Sequence, residues 1–207
     1  MPSHKILVCF IDDSAFERRL LAEVFPKAEP GWEWLIAASF KEAQILLAGR
    51  KPDLFLLDLW GNDPEKESRP KLASQAELET EAAKLPGLAE IYAGLESFEG
   101  DRLNELLKRL YSLVEGWRAV FQKAALAADQ SLAFGLYNLS QVRRLYQEAK
   151  AVAYTRKSSA EDICRFLRAG GDGAAMKPHG PNDASILAAT RAKAGEIIAY
   201  LKLVLSK

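Results

Sequence analysis

KILVCFIDDS, residues 5–14, is the stretch on which the fold turns. Its run 5–11 is short, apolar and β-branched, which marks a strand buried on both faces, as in parallel sheets. It ends in Asp12-Asp13-Ser14, an acidic turn whose serine can cap the next helix. That helix carries Phe16, Leu20, Leu21 and Val24 on one face, and Pro26 and Pro30 mark its end. WEWLIAA (32–38) reads as a second strand, followed by a helix capped by Ser39, carrying Ala43, Leu46 and Leu47 and closed by Gly49. PDLFLL (52–57) is a third buried strand, ending at Asp58. The order βαβαβ implies a parallel sheet with helices on its faces. The carboxyl ends of such strands line one crevice, where ligands bind.

The rhythm then breaks. Between Gly61 and Asp129 there is no strand signal. Asn62-Asp63-Pro64 and Arg69-Pro70 read as loop, and a weakly amphipathic helix is expected over 72–85, stopped by Pro86-Gly87. A short helix follows with Leu88, Ile91, Tyr92 and Leu95. The most periodic segment of the chain comes next, with Leu103, Leu106, Leu107, Leu110, Leu113, Val114, Trp117, Val120, Phe121 and Ala124 at three- and four-residue spacing. The periodicity predicts a helical hairpin or small bundle inserted into the sheet domain, with this stripe more readily its core than a groove for a partner. Alternation then resumes. A helix is expected over 136–149, a short strand over 151–154 ending at Thr155, and a helix from Ser158-Ser159 with Ile163, Phe166 and Leu167, closed by Gly170-Gly171. GAAM (173–176) is a weak last strand leading to Lys177-Pro178, and a long helix with Ile186, Leu187, Ile197, Ile198, Leu201, Val204 and Leu205 ends the sequence.

Composition narrows the function. With 28 basic and 28 acidic residues the chain has no net field to draw nucleic acid or an anionic membrane. The segment 61–129 is acidic, 13 residues against 9 basic, which disfavours direct nucleic-acid binding. No apolar run is long enough to span a bilayer and the amino terminus has no secretory pattern, so a soluble cytoplasmic protein is expected. Cys9 and Cys164 lie far apart in apolar or helical patterns and read as buried free thiols.

Asp12, Asp13, Asp58, Thr155 and Lys177 all fall at strand carboxyl ends. Two carboxylates can hold a hard divalent cation such as magnesium, while a third can attack phosphorus. A hydroxyl and an ammonium can steady a transferred phosphoryl group. Through KILVCFIDDS, KPDLFLLDLW and VAYTRKSSAEDICRFLRAGGDGAAMKP the chain resembles the response-regulator receiver domain of two-component signalling, over about residues 5–60 and 135–207. The resemblance implies a flavodoxin-like (βα)5 doubly wound α/β sheet of five parallel strands, with receiver segments 1–60 and 130–207 and an all-α insertion at 61–129. It implies Asp58 as phosphoacceptor, and Asp12, Asp13, Asp58 and the Trp60 carbonyl as the magnesium site. Thr155 and Lys177 would contact the phosphoryl group, and the Lys177–Pro178 peptide would be cis. The donor would be a sensor histidine kinase or a phosphotransfer protein.

The sequence departs from that pattern at two positions. The aromatic usual three residues before the lysine is Ala174, and the small residue usual after the threonine is Arg156. Arg156 reads as a solvated loop residue more readily than as a gate, and His179 as a surface histidine. No output domain is expected after the last helix, so the chain reads as a stand-alone switch, and not as a metabolic enzyme, that signals by protein–protein contact. The insertion stripe and the last helix are candidate homodimer surfaces; the downstream protein is unnamed. The competing class is an interaction scaffold indifferent to Asp58. A magnesium-dependent aspartyl phosphatase is disfavoured, because its general acid would stand where Trp60 is.

Overall fold

The computed structural model describes residues 5–62, 75–128, 130–156 and 159–207. Residues 1–4, the loop around Asp63-Pro64 and Arg69-Pro70, the start of the helix expected from Leu72, Asp129 and Ser158 lie outside them. The chain divides into two compact units, Met1–Glu67 with Ser131–Lys207, and Ser68–Gln130.

The first unit is built on five parallel strands, β1 (Leu7–Ile11), β2 (Glu33–Ala37), β3 (Leu54–Leu57), β6 (Lys150–Thr155) and β7 (Gly173–Met176), in the order β2-β1-β3-β6-β7. Two-residue strands, β4 (Gly61–Asn62) and β5 (Gln130–Ser131), are too short for a hydrophobic pattern to register. The apolar runs are buried throughout in β1 and β3, as their composition requires. One core lies under α2 (Phe40–Leu47), α6 (Ala133–Leu145) and α7 (Ala160–Arg168), with Phe40, Phe55, Phe134 and Phe166 among its members. The other lies under α1 (Ala15–Ala28) and α8 (Asp183–Leu205), with Phe10, Phe25, Leu56 and Leu201. A doubly wound flavodoxin-like sheet is thus what the alternating pattern produces.

Local chemistry explains the ends. Ser14, Ser39 and Ser159 cap α1, α2 and α7, each hydroxyl accepting a backbone N–H three residues on. Pro26 does not end α1, which runs on to Ala28; so near the carboxyl end the ring removes only one intrahelical hydrogen bond. The helix expected from Leu136 begins at Ala133 and stops at Leu145. Cys9 is buried and its thiol is pushed up to about 12 by loss of solvent. Cys164 is exposed, against expectation, because α7 turns Phe166 and Ile163, not Cys164, toward the core.

The second unit is helical: α3 (Gln75–Ala82), α4 (Leu88–Tyr92) and α5 (Arg102–Ala127). Asp101 caps α5, its carboxylate accepting the Asn104 N–H. Arg109 reaches from α5 to the Ile91 and Ala93 carbonyls at 3.0 and 2.7 Å, satisfying the open end of α4. The stripe is split. Val120 is buried and Leu106, Leu110, Leu113 and Ala124 are half-buried, whereas Leu103, Leu107, Val114, Trp117 and Phe121 are exposed. Two short neighbouring helices cannot cover an apolar band this wide.

Candidate functional site

The parallel register brings the ends of β1, β3, β6 and β7 to one edge. Asp12 follows β1, and its N–H donates to the Ala37 carbonyl at 3.1 Å. Its Oδ1 accepts the Ser14 N–H at 2.8 Å, and Arg18 donates to its carbonyl at 2.6 Å. Asp13 Oδ2 accepts the Asn62 N–H at 3.0 Å, tying the turn after β1 to the segment after Asp58. Asp58 follows β3, its N–H donating to the Ile11 carbonyl at 3.0 Å. Behind it, Gly135 of α6 donates its N–H to the Leu59 carbonyl at 3.1 Å. A Cβ there would lie 2.6 Å from Leu59 Cα and 2.9 Å from the Asp58 carbonyl, so only glycine allows this approach.

Thr155 ends β6 and accepts, through its carbonyl, the Lys177 N–H at 2.9 Å. That bond fixes the backbone from which Lys177 points inward. Its ammonium stands 2.5 Å from Asp12 Oδ2 and 3.0 Å from Asp58 Oδ1. The aim needs no cis bond: among the described residues no peptide is cis, so Lys177–Pro178 is trans. Phe10 and Tyr154 present ring faces 5.9 and 5.8 Å from the ammonium. All five predicted residues therefore meet at one place, and four of them, Asp12, Asp58, Thr155 and Lys177, are buried. Trp60 packs against the core under α6, and its indole N–H has no partner.

Burial sets the electrostatics. Loss of solvent raises the Asp58 carboxyl to about 6; Lys177 opposes this and Asp12 adds to it. Burial raises Asp13 also, against the hydrogen bond from Asn62. Burial alone would lower Lys177, but Asp58, Asp12 and Glu17 outweigh it and the ammonium is held charged. The site thus carries more carboxylate than its lysine balances. One oxygen from each of Asp12, Asp13 and Asp58 lies within 4.8 Å of the others, which suits a hard divalent cation. The Thr155 hydroxyl is buried without a hydrogen-bond partner, although it lies close enough to Asp58 to favour the carboxylate. An orphaned donor beside a nucleophile is what an incoming oxyanion would satisfy.

Three features escaped the sequence reading. Glu17, on the first turn of α1, pairs with Arg156 at 2.8 Å, and both side chains are largely buried. Arg156 is therefore no solvated loop residue, and its partner lies too far away in sequence to be read. Arg18 holds the Asp12 carbonyl; its only sequence signal is its place one turn into α1. At Ala174, where the resemblance would put an aromatic, the N–H donates to the Tyr200 hydroxyl of α8 at 3.0 Å. His179 is exposed, as expected.

No protein-family profile matches the sequence, and no curated protein does. Solved structures do. The response regulator domain of Thermotoga maritima CheB superposes with a TM-score of 0.51 at 14% identity, over 99% of this chain and 98% of that one. A proposed response regulator from Chloroflexus aurantiacus does so with a TM-score of 0.50 at 14% identity, over 99% of this chain and all of that one. At these identities the likeness is one of fold: the chain has the response-regulator receiver fold. No helix among the described residues is long and apolar enough to cross a membrane.

Proposed function

We propose that this protein is a phosphorylation switch in which Asp58 accepts a phosphoryl group from a sensor histidine kinase or a phosphotransfer protein. The observation that carries the reading is the buried constellation of Asp58, Lys177, Asp12 and the unpartnered Thr155 hydroxyl at the carboxyl edge of the sheet. In the transfer an Asp58 carboxylate oxygen attacks phosphorus, an acyl O–P bond forms, and the N–P bond of the donor phosphohistidine breaks. The donor imidazole leaves and takes a proton from solvent. Asp58 is ionised at neutral pH, since its carboxyl, though raised, titrates near 6. Lys177 accompanies the negative charge onto the phosphoryl oxygens, and the Thr155 hydroxyl donates to one of them.

Asp12, Asp13 and Asp58 would hold a magnesium ion, with the Trp60 carbonyl beside them; bound there, it supplies neutralisation of charge on the transferring group. The Arg156–Glu17 pair next to the cluster would slow entry of small donors and of hydrolytic water. The role is that of a switch with self-catalysed phosphorylation and dephosphorylation, not of a metabolic enzyme. Output would pass by protein–protein contact to a downstream protein or a second copy, in the cytoplasm.

The test is reaction of the purified chain with a small acyl phosphate, with and without magnesium, beside Asp58→Asn. A magnesium-dependent, base-labile adduct absent from the variant is the expected result. No adduct, together with no response of Trp60 fluorescence or thermal stability to beryllofluoride and magnesium, would overturn the reading in favour of a constitutive scaffold.

A further inference from the structure

Helix α5 has two apolar faces, and the described residues of its own unit cover one. Toward α3 and α4 it turns Gly116, where an added Cβ would lie 2.4 Å from Leu85, together with the buried Val120 and the Arg109 that holds the end of α4. On a different face stand Leu103, Leu107, Tyr111, Val114, Trp117 and Phe121, between 41% and 67% exposed. Leu103, Leu107, Leu110, Val114, Trp117, Phe121 and Ala124 alternate by four and three residues, the a/d spacing of a coiled-coil seam, with no charge among them. Scattered exposed leucines would need no explanation, but a seam sustained along most of a 26-residue helix does.

We infer that this seam is the contact between two copies of the chain, packed as antiparallel α5 helices with the twofold axis between Leu110 and Val114. The a/d period is the pattern that a like helix completes, which favours a second copy over an unrelated groove. The six exposed side chains offer roughly 700 Å² per copy, close to the ~800 Å² that each partner of a stable interface contributes. Residue size sets the direction. The amino-terminal half of the seam is leucine and the carboxy-terminal half is Trp117 and Phe121. A parallel pair would stack the bulky residues at one end and the leucines at the other. An antiparallel pair that sets the two seam positions against each other places Phe121 against Leu103, Trp117 against Leu107 and Val114 against Leu110, which keeps the helix separation even and opposes the helix dipoles. The inference goes beyond the phosphotransfer reading and stands whether or not Asp58 accepts phosphate.

Sedimentation equilibrium of the full chain, across the micromolar range, tests it. The parent is expected at twice the chain mass. Val114→Glu and Leu107→Glu are expected at the monomer mass with an unchanged circular-dichroism spectrum, since both side chains are exposed in the monomer. Leu203→Glu, at an exposed position of α8, is expected to remain dimeric. In a Cys164→Ser background, Val114→Cys mixed with Leu110→Cys should cross-link on mild oxidation while Leu103→Cys alone should not. A monomeric parent, a dimer untouched by Val114→Glu, a dimer lost in Leu203→Glu, or cross-linking at Leu103 would each overturn the assignment.

Discussion

Lys177 in the sheet unit and Glu81 in the helical unit each stand between two opposite charges and both are held charged, but the carboxylates of the two clusters fare differently. Lys177 lies 2.5 and 3.0 Å from Asp12 and Asp58 with 3% of its side chain exposed. Glu81 lies 2.6 and 2.7 Å from Lys84 and Lys123, both of which are more than half exposed. At nearly equal distances, the hydrogen bonds from Lys123 and Lys84 draw Glu81 down to about 2, whereas desolvation drives Asp58 up to about 6 in spite of Lys177. Spacing does not decide: desolvation is the largest cause at Asp58, where one cation and the Asp12 carboxylate act in opposition, whereas Glu81 has two cations. A buried cluster that leaves one carboxylate raised is costly to fold around. The Glu81 trio, with its carboxylate 29% exposed and both lysines facing solvent, ties the end of α3 to α5 at the surface of the helical unit.

The largest expected effect comes from removing the cation at the centre of the buried trio. Lys177→Met leaves Asp12 and Asp58 facing each other without compensation, and should cost about 3–5 kcal/mol at neutral pH in the presence of a chelator. Urea unfolding measures it, and part of the loss should return on adding magnesium. A loss too small to resolve would mean that solvent, and not Lys177, balances these carboxylates.

The second effect is smaller and carries a sign. The Asp58 carboxyl moves from its ordinary 3.8 to about 6 in the folded chain. Between those values the folded state keeps a proton that the unfolded state has shed. Stability from this group is therefore full below about pH 4 and is lost as pH rises through about 6, by about 3 kcal/mol. Lys177 is shifted upward as well, so its contribution is present throughout this window and fades only in strong alkali. Asp58→Asn should flatten the decline between pH 4 and 7 and leave the cation-free protein more stable than its parent at pH 7. Denaturant titrations at several pH values decide the matter, and an unchanged slope in Asp58→Asn would assign the decline to other groups.

The sheet unit was legible in the sequence to a degree that the helical unit was not, for the same physical reason. Buried parallel strands are short, wholly apolar and end in turn residues, so β1, β3 and the residues just past them stand out in the sequence. Their side chains then had to converge, because parallel strands deliver their carboxyl ends to one edge. What could not be read was which groups pair across that edge. Lys177 and Asp12 are 165 residues apart, and Glu17–Arg156 is a comparable leap. In α5 the period announced an amphipathic helix, but period alone does not say how much of an apolar band neighbours will cover. The expectation of a single core-facing stripe failed there, with Phe121 exposed one residue from the buried Val120. The trans Lys177–Pro178 bond is a similar case, since the proline permits either isomer.

The smallest expected effect sharpens the comparison from the other side. Glu81→Gln removes the acidic centre of the surface trio while keeping its size and its capacity to accept hydrogen bonds. If solvent governs, Lys84 and Lys123 simply return to water, and the change in unfolding midpoint should be indistinguishable from zero at physiological salt, where surface attraction is screened within about 8 Å. At low salt a slight loss should emerge, and it should vanish again as sodium chloride is added. Lys177→Met should keep most of its penalty in sodium chloride, because the buried carboxylates are shielded from the bulk ionic atmosphere and only a divalent cation held by them would offset the loss. The two salt titrations, run side by side on one protein, therefore separate the regions by their dielectric surroundings. Should Glu81→Gln destabilise the chain at high salt as much as Lys177→Met does, the helical unit would have to bury that trio against something further, and the picture of a surface trio around Glu81 would fall.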